Sequence, residues 1–180
     1  LAHSADLNLV VVANAASDTL GVIDLATKRQ VDAIWVGDEP VNVVVSPDGT
    51  LAYVALAGEG ALAVVDLESR QLLTQIDTVF DPKALTMTPD GSTLFVASHR
   101  SGQTVRFPFE ERDPTTELDI AIVDTESMLV TGYILDVAAT IKDLFYHSGK
   151  DELWVSAMSN DTAGLLNDPE TYSFQHELFS

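Results

Sequence analysis

Residues 43–67 read VVVSPDGTLAYVALAGEGALAVVDL, and much of the chain is a variation on this stretch. Pro47-Asp48-Gly49 recurs as Pro89-Asp90-Gly91, and Val64-Val65-Asp66 repeats Val22-Ile23-Asp24 at the same spacing. A fixed period of about 40 residues is typical of repeat proteins, in which each unit buries its apolar face only against its neighbours. The sequence therefore predicts a repeat architecture.

Each repeat divides into four short apolar runs that are separated by turn residues. In the second repeat these runs are residues 41–46, 51–56, 61–66 and 71–76. Pro-Asp-Gly between the first two runs favours a tight hairpin, because Pro presets φ and Gly accepts a positive φ. Four strands in about 40–45 residues are typical of one blade of a β-propeller. We therefore predict an all-β fold, a β-propeller of four-stranded antiparallel blades.

The pattern predicts a single propeller segment over residues 1–180, with about four blades or part-blades. They are a part-blade at 1–36, a blade at 41–76, a blade at 83–136 and a part-blade at 140–180. The first is expected to lack its innermost strand and the last its final two, so these pieces cannot close a ring. Because an open edge exposes unpaired backbone groups, we expect a fragment of a larger propeller, with the remaining blades supplied by further sequence or by another chain.

The third blade contains an inserted loop at residues 101–119, since the interval from Asp66 to Asp124 is longer than the interval from Asp24 to Asp66. Phe107 and Phe109 in this loop are candidates to anchor a partner or to pin the loop onto the disc. The loop also carries carboxylates, which are oxygen donors of the kind that calcium prefers. The calcium candidates are Glu110, Glu111 and Asp113. Their spacing does not resemble an EF-hand loop, so the metal assignment stays open.

The remaining candidate binding residues are expected on the same face of the disc as this loop. They are Asp38, Asp81, His99 and Arg100. Imidazole binds metals or moves protons near neutral pH, and guanidinium clamps carboxylates or phosphates. Asp143 aligns with Val43 and Leu85 on the innermost strand, where its charge needs water, a cation or a basic partner. No nucleophile-elbow, P-loop or zinc-protease motif is present, so no catalytic residue is predicted.

Composition narrows the classes of function. The chain has 9 Lys and Arg against 28 Asp and Glu, a net charge of −19, which disfavours binding to nucleic acid and to anionic membranes. No apolar run is long enough to cross a bilayer. With no cysteine, this segment has no disulfide, thiolate metal site or Cys-x-x-Cys-His haem attachment.

The repeat resembles the YVTN-type β-propeller family. Residues 51–55 and 94–97 stand where that family has its Tyr-Val-Thr-Asn signature, and Asp24, Asp66 and Asp124 close its Val-Ile-Asp strand. The likeness covers residues 8–157. The chain departs from the family at the Thr-Asn pair of the signature, for example at Ala55-Leu56.

The resemblance implies a seven-bladed type of propeller in a periplasmic, cell-surface or secreted protein, although no signal peptide is visible. It also implies a non-catalytic binding or scaffold module that presents a loop-rich face to a protein, a polymer or a small ligand. One alternative is the propeller portion of a haem-containing or other redox enzyme, whose cofactor domain lies outside this segment. Another is a lactonase-like hydrolase. No cofactor is expected within the segment, whereas haem or calcium is an expectation for the full-length protein.

Overall fold

The computed structural model describes residues 1–99, 118–135, 137, 140–158 and the strand at 170–175, and these residues form fifteen strands and no helix. The strands make four antiparallel sheets, named blades 1 to 4. Blade 1 contains β1 (Ala2–Ser4), β2 (Leu9–Asn14), β3 (Thr19–Asp24) and β4 (Arg29–Trp35). Blade 2 contains β5 (Pro40–Val45), β6 (Leu51–Leu56), β7 (Ala61–Asp66) and β8 (Gln71–Asp77). Blade 3 contains β9 (Pro82–Met87), β10 (Thr93–Ser98), β11 (Leu118–Asp124) and β12 (Leu129–Leu135). Blade 4 contains β13 (Thr140–His147), β14 (Glu152–Met158) and β15 (Glu170–Gln175).

Within each blade, strands adjacent in the sheet are also adjacent in the chain, so every blade is a meander. In blades 1 to 3 the third and fourth strands are joined by a turn that an aspartate side chain caps. Asp24, Asp66 and Asp124 each accept a backbone hydrogen bond of 2.7 Å from the residue three positions later. Hydrogen bonds from Thr27, Ser69 and Ser127 lower the pKa of these carboxyls. The recurring aspartates are therefore turn caps.

The apolar core lies between blades and not inside them. One cluster joins blades 1 and 2 through residues such as Val22 and Val54, and a second joins blades 2 and 3 around Tyr53. A third joins blades 3 and 4, with Phe95 and Leu144 among its members. The middle strands are the most buried, whereas the outer strand β8 is mostly exposed. A blade thus buries its faces against its neighbours, as a propeller requires.

The all-β fold of four-stranded antiparallel blades is confirmed, and the predicted strands at 51–56 and 61–66 match β6 and β7. Two details are corrected. The part-blade at 1–36 has an innermost strand after all, because Ala2–Ser4 pairs with β2. The part-blade at 140–180 has a third strand, since Glu170–Gln175 pairs with β14. No helix among the described residues is long and apolar enough to cross a membrane.

Candidate functional site

The connections between second and third strands, and those between blades, form the upper face of the disc. Two of them repeat the same contact. The Ala57 N–H donates to the Glu39 carbonyl at 3.0 Å, and the His99 N–H donates to the Asp81 carbonyl at 3.0 Å. Both Glu39 and Asp81 have a left-handed backbone conformation, with φ of 53° and 48°. Each of these inter-blade connections is therefore tied to the loop that follows the next blade's second strand.

These contacts separate Asp38 from Asp81, which sequence analysis grouped together. The exposed Asp38 donates its N–H to Glu59 Oε1 at 2.8 Å, and its carboxylate lies so close to Gly58 that a Cβ there would overlap it. Asp81 follows the next blade and is only 8% exposed. The loop at 57–60 lies between them, because Gly58 contacts Asp38 while Gly60 approaches Val79. The two carboxylates belong to different junctions.

Asp81 and His99 do come together, with two residues that sequence analysis missed. Lys83 Nζ lies 3.5 Å from Asp81 Oδ1, and the Lys83 carbonyl accepts a hydrogen bond of 2.9 Å from Asn42 Nδ2. His99 Nδ1 lies 3.3 Å from the Ile141 carbonyl of blade 4. We name Asn42, Asp81, Lys83 and His99 the upper cluster. A bulge places Lys83 there, since it is the unpaired residue between Pro82 and Ala84.

Several predicted site residues fall outside the described part of the chain. These are Arg100, Phe107, Phe109, Glu110, Glu111 and Asp113. Among the residues that the structure describes, no group of three or more His, Asp or Glu side chains could hold a metal ion. The described part of the upper face offers paired charges and hydrogen-bonding groups, which suit recognition of a polar ligand.

The predicted alignment of Asp143 with Val43 and Leu85 is wrong by one residue. Asp143 pairs with Ser156, whereas Leu144 takes the position of Val43 and Leu85. The alignment had matched Gly149 with Gly49, the glycine of a Pro-Asp-Gly turn. The left-handed residue of the turn in blade 4 is in fact Asp151, with φ of 57°. A one-residue shift moves a side chain to the other face of a sheet, so Asp143 lies on the face turned away from blade 3, where it is exposed.

A groove that no sequence pattern indicated lies on the lower face, where the first two strands of each blade are joined. It has a volume of about 270 Å³ and lies between the hairpins of blades 3 and 4. Its lining includes Asp90, Ser92, Phe95, Tyr146 and Asp151. The Tyr146 ring stacks on Phe95 with centroids 6.1 Å apart, and its hydroxyl donates to the Asp151 carboxylate.

Electrostatics give this groove an acidic rim. The hydrogen bond to Asp151 is the main cause that raises the pKa of Tyr146 to about 12, so the phenol stays protonated at neutral pH. The Thr88 hydroxyl and the Ser92 N–H lower the pKa of Asp90, so this carboxyl stays ionised. The groove can accept hydrogen-bond donors or cations, and the phenol that lines it is not available as a base.

Comparisons with known proteins bear on the fold. No family model matches the chain, so the YVTN resemblance stays a prediction. No curated protein matches it either. Among 1109 chains of solved structures that match, one is titled hydrazine synthase from Kuenenia stuttgartiensis. Its TM-score is 0.76 at 25% sequence identity, over 89% of this chain and 44% of that chain. The chain therefore spans less than half the length of this structural relative, and it shares with it the fold of antiparallel blades described above.

Proposed function

We propose that this chain is a binding and scaffold segment of an extracytoplasmic YVTN-type propeller, non-catalytic in itself, whose upper face binds a protein, polymer or small ligand. The observation that carries the proposal is the upper cluster, which lies at the start of a long connection. That connection covers positions 99–117, between β10 and β11, whereas the corresponding loop of blade 2 covers only positions 57–60. A long loop based on rigid strands is a common place for a binding site.

The upper cluster provides a preorganised base for such a loop. His99 is held at its backbone by Asp81 and at its ring by the Ile141 carbonyl, so it bridges blades 3 and 4. The Lys83 ammonium pairs with Asp81, and the Lys83 backbone carbonyl accepts a hydrogen bond from Asn42, so Lys83 connects blade 3 to blade 2. Side chains that are fixed before binding lose less entropy on binding. Because the chain carries a net charge of −19, a partner with a basic surface is favoured.

A second candidate function is the propeller portion of a redox enzyme. The observation that favours it is the likeness to a chain titled hydrazine synthase, which extends over 89% of this chain. Because these 180 residues contain no cysteine, a haem attached through Cys-x-x-Cys-His would belong to other sequence. In that case the upper face would dock the domain or subunit that carries the cofactor.

The test is a loop exchange. Residues 100–117 are replaced by Gly-Glu, the middle of the connection at 57–60, so that His99 of the upper cluster and Leu118 of β11 are kept. We expect the β-sheet circular dichroism spectrum to be retained, because β6 and β7 pair through such a linker in blade 2. Proteins and glycans that the immobilised wild type retains from an extract of the source organism are quantified by mass spectrometry, and we expect the exchanged variant to lose them.

The matched control exchanges a turn on the lower face. Residues 67–70 and 25–28 both form turns of the same length after an aspartate, with left-handed Arg70 and Lys28. Placing 25–28 at 67–70 should change neither fold nor binding. Equal retention by wild type and loop variant would contradict the proposal, and unfolding of the loop variant would show that the loop is structural. A haem absorbance band in the retained fraction would select the redox candidate.

A further inference from the structure

One position of the second strand is occupied by a buried side chain in each of the first three blades. These side chains are Val11, Tyr53 and Phe95, which are 0%, 2% and 1% exposed. Each belongs to the apolar cluster that joins its blade to the following one, and Phe95 also stacks on Tyr146 of blade 4. Trp154 has the same position in blade 4, because it pairs with Phe145 of the first strand as Tyr53 pairs with Val44 and Phe95 with Thr86. The side of blade 4 that carries Trp154 therefore corresponds to a blade-covered surface in each earlier blade.

This side of blade 4 carries exposed apolar side chains beside two charged ones, since Lys150 Nζ lies 5.5 Å from the centroid of the Trp154 ring and Glu152 accepts a hydrogen bond from the Trp154 indole N–H. Phe145 and Met158 are 59% and 48% exposed. The Phe145 and Trp154 rings meet at 6.3 Å between centroids, with the His147 ring 5.1 Å from Trp154. Contiguous exposed apolar surface marks an interaction site more often than scattered apolar residues do. We name Asp143, Phe145, Trp154, Ser156 and Met158 the open face.

Asp143 distinguishes the open face from the junction between blades 2 and 3. Its equivalent there is Asn42, whose Oδ1 accepts the Val43 N–H at 2.8 Å and whose Nδ2 donates to the Lys83 carbonyl of the next blade at 2.9 Å. Asp143 keeps the first bond, since its Oδ1 accepts the Leu144 N–H at 2.9 Å. Its second carboxylate oxygen then takes the place of the donating Nδ2. A carboxylate oxygen accepts hydrogen bonds only, so a bare carbonyl opposite it would be repelled.

We propose that the open face receives a further four-stranded antiparallel blade, and that the innermost strand of this blade presents a cationic or N–H donor to Asp143 where blade 3 presents the Lys83 carbonyl to Asn42. Continuity with the three junctions within this chain supports a blade as the occupant. The net charge of −19 on each copy opposes a second copy as the source, because two such chains repel each other. We therefore assign the blade to sequence outside these 180 residues. The proposal does not depend on what the upper face binds.

The occupant is tested by photo-cross-linking in the protein at its natural length, expressed in its own host. Phe145 is replaced by p-benzoylphenylalanine, which keeps the aromatic ring, and cross-linked peptides are identified by mass spectrometry. We expect one dominant peptide from outside residues 1–180, with the alternating apolar pattern of an inner strand. Tyr133, which is 40% exposed on the outer strand of blade 3, is the matched control position and should give no dominant product. A cross-link to residues 1–35 of a second copy, to a lipid or to nothing would overturn the proposal.

The proposed donor opposite Asp143 is tested by whether a substitution of Asp143 raises or lowers the cross-linking yield at position 145. Asp143→Asn restores the amide of Asn42 but removes the charge, so it should lower the cross-linking yield at 145 by about tenfold or more, as should Asp143→Ala. Asp77→Asn makes the same change at an exposed position on the outer strand of blade 2, away from the open face, and should leave the yield unchanged. Because Asp143 is exposed, we expect all three isolated chains to keep the wild-type circular dichroism spectrum. A yield that is unchanged or higher in Asp143→Asn would show that the partner presents a carbonyl, and the donor would be refuted.

Discussion

The lower edges of two neighbouring junctions differ, although the strands above them pack alike. Between blades 2 and 3, the Pro47 ring packs so closely on Gly91 that a Cβ there would lie 2.8 Å from Pro47 Cδ. Between blades 3 and 4, the described hairpin of blade 4 places its glycine, Gly149, against its own His147, and the groove lined by Tyr146 and Asp151 opens instead. The residues of the turns therefore determine whether the lower edge of a junction is closed or opens as a groove. The strands determine only that the two blades pack against each other.

The largest effect is expected where the cleft junction depends on one ring. Phe95→Ala removes a side chain that is 1% exposed and stacks on Tyr146, so we expect a loss of about 3–5 kcal/mol in the free energy of unfolding. Urea unfolding followed by circular dichroism measures it. Phe80→Ala removes a ring that is 58% exposed and should cost less than about 0.5 kcal/mol. Similar losses in the two variants would mean that the stack does not hold blades 3 and 4 together.

The closed junction is tested by Gly91→Ala. Gly91 has φ of 76°, which strains any other residue, and the added Cβ would meet Pro47. We expect a loss of about 1–3 kcal/mol in the free energy of unfolding by urea. The control is Gly132→Ala in the same blade, whose Cβ would lie 3.8 Å from Ile122 and should be tolerated. Pro47→Ala should relieve part of the loss in the double variant, and strict additivity would show that the two residues do not contact.

Asn42 tests the polar tie of the closed junction. Asn42→Ala removes the hydrogen bond to the Lys83 carbonyl and should cost about 1 kcal/mol. Asn42→Asp should cost more, because it sets a carboxylate against that carbonyl, the arrangement that we consider unfavourable at Asp143. Thermal unfolding of both variants beside wild type gives the order. If Asn42→Asp were the more stable of the two, a carboxylate and a carbonyl would be compatible at a blade junction.

The smallest effect is a spectroscopic one in the cleft junction. The folded pKa of Tyr146 is about 12, above the ordinary value of about 10, so its protonated phenol favours the folded state below pH 10, and this contribution is lost as the pH rises towards 12. Absorbance at 295 nm should show one tyrosine that ionises late, and Tyr146→Phe should remove it. Asp151→Asn should lower the pKa of Tyr146 towards 10. An unchanged titration in Asp151→Asn would exclude this carboxylate as the cause.

The repeat made most strands predictable, because the stretch at 51–66 carries both the apolar runs and the turn residues of β6 and β7. Ala2–Ser4 was missed because so short a strand without a Pro-Asp-Gly turn leaves no pattern. The Asp143 register failed because Gly149 stands at the position of Asp48 and Asp90 and not at that of Gly49 and Gly91, while the left-handed residue of the turn is Asp151. The groove could not be predicted, since it results from the turns of two blades that meet only in three dimensions.

The location of the apolar clusters has a consequence for how the chain folds during synthesis. Val22 and its neighbours in blade 1 are buried against blade 2, so the first blade shares its interior with the second. Neighbouring units of this kind gain stability only in pairs. The interior that blades 1 and 2 share can therefore be completed only after β7 has left the ribosome, and blades 3 and 4 can then pack onto this pair in order of translation.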